Sequence, residues 1–222
     1  MDTAETALLS KTVPPRPRER IISTACELFR KHGYRGVGVD AIAEAAGTNK
    51  MTLYRHFGSK DELVVACLQE VGAEANRMWD RLENEHPADP LAQLQAWLQL
   101  GGGCGGPDGR GCSIANAAVE LAETEHPARE IVSAFKCSQR NRLAQLCRDA
   151  GIADSETLAD TLWLLLEGSR VSRQSTGVTG PSARFVAVGT AVIASFAGAA
   201  PQVSHPAKTT VRRKPALAAA GV

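Results

Sequence analysis

No strong charge of either sign marks this sequence: Lys and Arg number 25 and Asp and Glu 24, a net of +1. No whole-molecule field therefore drives it onto nucleic acid. No apolar run approaches the roughly 18 to 20 residues of a membrane span, and the N-terminus lacks the layout of a signal peptide. The expected compartment is the cytoplasm, with no membrane partner. Reaction signatures are also missing. There is no G-x-S-x-G, no H-E-x-x-H and no dinucleotide-binding glycine pattern, so an enzyme is not expected. Cys and His never recur at a C-x2-C interval, so neither metal nor cofactor is expected. Six cysteines spread over 222 residues read as reduced thiols and not as a disulfide scaffold.

What is present is helical periodicity, enough for one compact head and a larger body. Charge is local. Between Arg16 and Lys60 nine basic residues stand against four acidic ones (9 − 4 = +5), enough for a phosphate-facing patch. The stretch from Ala41 to Glu62 organises the chain. A short apolar helix with Ile42, Ala43 and Ala46 meets Gly47, which supplies a left-handed turn residue. Asn49 then stands as an N-cap three residues before Thr52. The helix from Lys50 buries Leu53 and Phe57 and shows Lys50, Thr52, Tyr54, Arg55 and His56 elsewhere. Ser59 to Glu62 reads as a capping box opening a long helix. Two short helices around a glycine turn, the second rich in donors, describe a helix-turn-helix.

Residues 20 to 65 resemble the DNA-binding head of the TetR/AcrR family of bacterial transcriptional regulators. The resemblance rests on Ala25, Leu28, Phe29 and Gly33, then Ile42, Ala43, Ala46 and Gly47, then Leu53, Tyr54, His56, Phe57, Ser59, Lys60 and Leu63. It implies an all-α protein, with a three-helix head followed by a helical ligand-binding and dimerisation body. It also implies that Lys50, Met51 and Thr52 face base edges while Tyr54, His56 and Lys60 hold phosphates. Asn49 and Arg55 are counted on the same surface. The chemistry agrees, since Lys donates to guanine O6/N7 and Thr offers a hydroxyl and a methyl. Two departures stand out. Helix two opens on Gly36-Val37-Gly38-Val39-Asp40, where the family usually has Thr or Ser, so one phosphate contact is missing and Asp40 would repel a phosphate. Thr48 stands where the family usually has Val.

Four segments follow: an arm at 1–17 ending in Pro14-Pro15-Arg16-Pro17, which should not be helical; a DNA-binding head at 18–62; a body at 63–200; and a basic tail at 201–222, expected to be disordered. Helix one should run from about Arg18 to His32. In the body, helices are expected from Ser59 to Glu85, from Pro90 to Gly101 with Leu91, Leu94, Trp97 and Leu98 on one face, and from Ser113 to Glu123. Others should run from beyond Pro127 to Ala150, from Ser155 to about Gln174, and from 181 to 199. The glycine-dense 101–111 reads as a connector, because it lacks the Gly-Lys-Ser/Thr ending of a P-loop. The last helix is apolar nearly all round and needs cover on more than one side. The family resemblance implies that it and its predecessor form a homodimer interface.

Large apolar residues on separate helices (Met78, Leu94, Trp97, Phe135, Trp163, Leu166), with Asn116 and Glu120 one turn apart, make a candidate pocket for a small-molecule effector. Core packing explains each of them equally. Cys104 and Cys112 flank the glycine loop and could approach disulfide range, an alternative redox-sensing reading of the same fold. Cys137 and Cys147 lie about 15 Å apart on one helix, too far to bridge. The expected function is a transcriptional regulator, a repressor released from a palindromic double-stranded operator by a small molecule. The other alternative is an architectural DNA-binding protein without an inducer.

Overall fold

A computed structural model describes residues 16–103, 111–122 and 125–198. The cysteine at 104, most of the arm and the whole tail lie outside the described residues. Those that are described form α-helices and one short 3-10 turn, with no strand among them. Helix α1 spans Pro17–His32. Pro17 was expected to lie outside the helix, yet it occupies the first helical position, where its missing N–H and fixed φ cost nothing. Ile21, Ile22, Ala25 and Phe29 form its buried face, and Arg30, Lys31 and His32 stand at the negative end of its dipole.

Helices α2 (Val39–Ala45) and α3 (Lys50–Phe57) are the helix-turn-helix pair. The turn between them is a Schellman closure. Thr48 N donates to Ala43 O at 2.9 Å and Gly47 N to Glu44 O at 3.0 Å. Gly47 has φ +61°, a left-handed conformation that a Cβ disfavours. Helix α4 (Lys60–Glu85) then leaves the head and runs the length of the body, about 39 Å at 1.5 Å per residue. Ser59 Oγ caps it by accepting from Glu62 N at 3.0 Å.

The body adds α5 (Pro90–Gly103), α6 (Ser113–Glu120), α7 (Ala128–Asp149), α8 (Ser155–Thr176) and α9 (Phe185–Ala197). Helix α5 passes the expected stop at Gly101. A Cβ on Gly101 would lie 3.0 Å from Phe185 and 3.1 Å from Leu166, so this glycine serves close helix packing and not chain termination. Leu91, expected on the inner face, is exposed. Helix α6 stops at Glu120, before the expected 123, with Leu121 at its C-cap. The stretch 181–184 is the 3-10 turn, so the last α-helix starts at Phe185.

Buried residues fall into two cores. The first joins the head to the start of α4 (Leu63, Val64, Leu68), to α6 (Ile114, Ala117) and to the start of α7 (Ala128, Val132). The second gathers the far end of α4 (Trp79, Leu82) with α5, the rest of α7, α8 and α9. The expected boundary between 62 and 63 therefore lies inside the first core, and α6 packs with the head.

Candidate DNA interface and effector cavity

Burial fixes which side of α3 is presented. Leu53 and Phe57 sink into the head core, Leu53 completely. Lys50, Met51, Tyr54, Arg55 and His56 are consequently exposed, with Thr52 half-buried beside them. Met51 is 83% exposed, an unusual position for so large an apolar side chain and suited to a thymine methyl. Asn49 is also exposed. Its Oδ1 accepts from Thr52 N at 2.8 Å, which caps α3 and leaves the amide nitrogen for a phosphate.

Asp40, expected to repel phosphate, holds Lys50: Nζ to Oδ2 is 3.2 Å, both side chains being well exposed. Exposed pairs of this kind are weak, so DNA can take the lysine over. Lys60 is placed differently from the six exposed predicted contacts. It is half-buried, with Nζ 5.9 Å from the Phe29 ring centroid. It lines a small crevice with Tyr34, Asp61 and His126. Burial lowers its pKa from the ordinary lysine value, opposed by the neighbouring Asp61 and Glu120 carboxylates. Arg18, not singled out from the sequence, lies 5.3 Å over the Phe57 ring and brings a cation from α1 against α3.

A cavity of about 330 Å³ opens between the two cores, at the lower end of small-molecule sites. Five predicted residues line it: Met78, Trp97, Phe135, Trp163 and Leu166. Leu94 does not; it is fully buried in the second core. Asn116 and Glu120 line a different groove with Gly111, Val119 and Gln174. Sequence reasoning missed Glu74, Arg81, Gln139 and Arg170 on the cavity wall. Charged and polar residues scattered along three helices give no pattern that converges on one place.

Glu120 has another task. Its Oε2 accepts the backbone N–H of Tyr34 at 2.7 Å and of Arg35 at 3.2 Å, and Arg35 Nε donates to Glu120 O at 2.6 Å. Tyr34 Oη donates to Ser113 O at 3.1 Å, at the other end of α6. Gly33 permits this closeness, with φ +80° and a virtual Cβ only 2.8 Å from the carboxylate. Helix α6 is thus tied along its length to the loop between α1 and α2. At its N-cap, Cys112 lines the 330 Å³ cavity.

Comparison with known proteins decides what this geometry belongs to. Residues 21–67 match the family model described as "Bacterial regulatory proteins, tetR family". The chain belongs to the TetR family. Its relatives include the transcriptional regulator AcuR of Cereibacter sphaeroides, 26% identical over 160 residues, which is 68% of this chain and 73% of AcuR. The repressor NicS of Pseudomonas putida is 29% identical over 100 residues, 44% of this chain and about half of NicS (47%). The crystal structure of SCO4454, a TetR-family regulator from Streptomyces coelicolor, superposes with a TM-score of 0.75 at 26% identity. The superposition covers 81% of this chain and 95% of that one. The chain is a DNA-binding transcriptional regulator of this family, not an enzyme. No helix among the described residues is long and apolar enough to cross a membrane.

Thiol chemistry in this TetR-family chain is set by hydrogen bonding and burial. Cys67 is buried beside Cys26, and their hydrogen bond, with burial second, raises the Cys67 pKa far above the ordinary thiol value. Burial pushes Cys147 up to about 12. Both stay protonated at neutral pH, and the thiolate is the reactive form. The Cys26–Cys67 contact escaped sequence reasoning because the two residues stand on different helices. Among the described residues no cluster of His, Cys, Asp and Glu suits a metal.

Proposed function

We propose that this regulator is a homodimeric repressor that works in the cytoplasm. Helix α3 of each protomer enters successive major grooves of a palindromic operator, and a small molecule in the cavity releases it. Lys50, Met51 and Thr52 read bases; Asn49, Tyr54, Arg55 and His56 hold phosphates. Lys60 reaches DNA only by leaving its place over Phe29. The observation that carries the release reading is the position of the cavity. It lies where the two cores meet, and α6 runs from its wall at Cys112 to the loop held by Glu120. An occupant that wedges the seam shifts α6 and with it the head, which changes the spacing of the two α3 helices.

The dimer reading rests on the outer face of α8 and α9. Leu164, Val171 and Val188 are exposed there at 70%, 61% and 39%, beside the exposed small residues Gly168, Ala187 and Ala191. The inner faces of the same helices are buried in the second core. Apolar surface of this extent fits a second copy, which would bring two heads to one palindrome.

Selection of preferred DNA from a random pool tests the whole reading. It should yield two inverted half-sites whose centres lie about one helical turn, or a multiple, apart. A pool that shows no preference would favour the architectural alternative. In the redox alternative, hydrogen peroxide would release DNA from the wild type and spare Cys104→Ser. Equal peroxide response of both proteins excludes a role for Cys104.

A further inference from the structure

The wall of the seam cavity is unbalanced in charge and in hydrogen bonding, and the imbalance names a ligand class. Its one carboxylate among the described lining residues, Glu74, is taken up by two cations. Oε2 accepts from Arg77 at 2.9 and 3.0 Å, and Oε1 from Arg81 at 3.4 Å. Across the cavity Arg170 is held only at 3.5 Å by Glu167, whose other oxygen binds Lys136. Each side therefore has two cations sharing one anion. The Arg170 side chain is 17% exposed, so its surplus charge is weakly screened.

Donors are in excess too. Gln139 is 5% exposed, and its Oε1 accepts from Trp79 Nε1 at 2.7 Å. An indole nitrogen can only donate, which fixes the amide orientation. Gln139 Nε2 is then a donor with no protein partner among the described residues, in a side chain that lines the cavity. The remaining wall of Trp97, Trp163, Phe135 and Met78 is apolar and aromatic.

We propose that the cavity binds an amphipathic monocarboxylate, with its aryl or branched apolar body among Trp97, Trp163 and Phe135 and its carboxylate on Arg170 and Gln139. A carboxylate supplies what the wall lacks, since it accepts from both donors and balances the unmatched guanidinium. A quaternary ammonium would suit the aromatic rings but would face Arg81 and Arg170 with no free acid. This inference rests on the reading of the cavity as the effector site.

The test uses the full-length protein and calorimetry with three matched probes: 2-naphthylacetate, 2-naphthylacetamide and (2-naphthylmethyl)trimethylammonium. A thermal-shift panel extends it to linear, branched and aryl monocarboxylates, each with its amide and ammonium counterpart. The carboxylates should bind at least about tenfold tighter than their amides, as expected for a charged hydrogen bond, and the ammoniums weakest. Arg170→Gln should close the gap between carboxylate and amide to within about twofold while leaving the amide unchanged. Gln139→Glu keeps an acceptor for Trp79 and should reverse the order of carboxylate and ammonium; should it fold poorly, Arg170→Gln still decides. Amides or ammoniums binding as tightly as carboxylates would overturn the proposal. So would a panel in which no carboxylate binds better than about 1 mM. Operator binding measured beside it separates the two readings. A carboxylate that binds without changing operator affinity refutes the inducer role alone, and release by amides or ammoniums instead refutes the ligand class alone.

Discussion

The head-side core and the body core use the same kinds of apolar residue and end in different states. In the head, α3 and α4 are capped by Asn49 and Ser59, and Leu53, Ile42 and Ile21 are fully enclosed. What faces outward there is mostly polar or cationic. In the body, α8 is capped by Asp154, while α6, α7 and α9, like α2 of the head, have no side-chain cap. Aromatic surface lines a void at the seam, and Leu164 and Val171 stand in the open. The head is finished by its own sequence. In the proposed reading the body is finished by other molecules, a second copy outside and a ligand inside, and that incompleteness would make it responsive. Because α6 packs with the head core yet borders the cavity at Cys112, it is the element through which the proposed occupant would reach the head.

The largest expected effect breaks the outer half of this contrast. Leu164→Asp with Val171→Asp would bury uncompensated charges between protomers at a cost of several kcal/mol. Light scattering should then show a folded monomer with an intact head; an unchanged dimer would move the interface elsewhere. Next comes Leu53→Ala, which hollows the enclosed core and should cost about 2–5 kcal/mol in thermal or urea unfolding. It should abolish operator binding while the body remains dimeric. A loss below about 1 kcal/mol would mean that the head is less tightly packed than described. Thr52→Ala, on the presented face, should leave stability unchanged and relax base preference at one position by about 1–3 kcal/mol. Asp40→Asn should raise affinity for the preferred operator modestly, and more than for unrelated DNA, by freeing Lys50 for its base contact, read from titrations at several salt concentrations.

The smallest effect concerns pH. Arg140 bonds Asp160 at 2.6 Å and holds its pKa below the ordinary aspartate value, tying α7 to α8. A depressed carboxylate pKa contributes stability above the unfolded value, about 3.9, that is lost as pH falls through the folded one. Asp160 is 57% exposed, so Arg140→Met should cost below about 1 kcal/mol at pH 7. At a pH below the folded pKa of Asp160 the difference should vanish; a difference that persisted there would trace the effect to packing.

The head was legible from the sequence because its signals are local. Asn49 announces the helix that Thr52 N then confirms by its bond, and Gly47 announces a left-handed turn. Body residues were legible as buried but not as partners. Periodicity placed Trp97 and Trp163 on inner faces, and nothing in it distinguishes Leu94, packed solid, from Met78, facing a void. Glu120 was read with Asn116 as a pocket pair because they lie one turn apart on α6. Its actual partner is a loop 86 residues away, a relation that exists only after folding. Gly101 looked like a stop because glycine's two uses, ending a helix and admitting a close neighbour, are identical in sequence.

The direct test of the seam as a relay is release of operator DNA by Glu120→Ala, compared with wild type at saturation with the panel carboxylate that binds tightest. The substitution removes the carboxylate that holds the Tyr34 and Arg35 N–H groups, leaving the bonds of Arg35 to the residue 120 carbonyl and of Tyr34 to Ser113 as the remaining ties, and it leaves the cavity wall intact. In the wild type, ligand should weaken operator binding by about tenfold or more, the usual range of allosteric coupling. In Glu120→Ala, ligand should still bind and operator affinity should change by less than about twofold. Equal release in both proteins, with both folded and dimeric, would contradict the account.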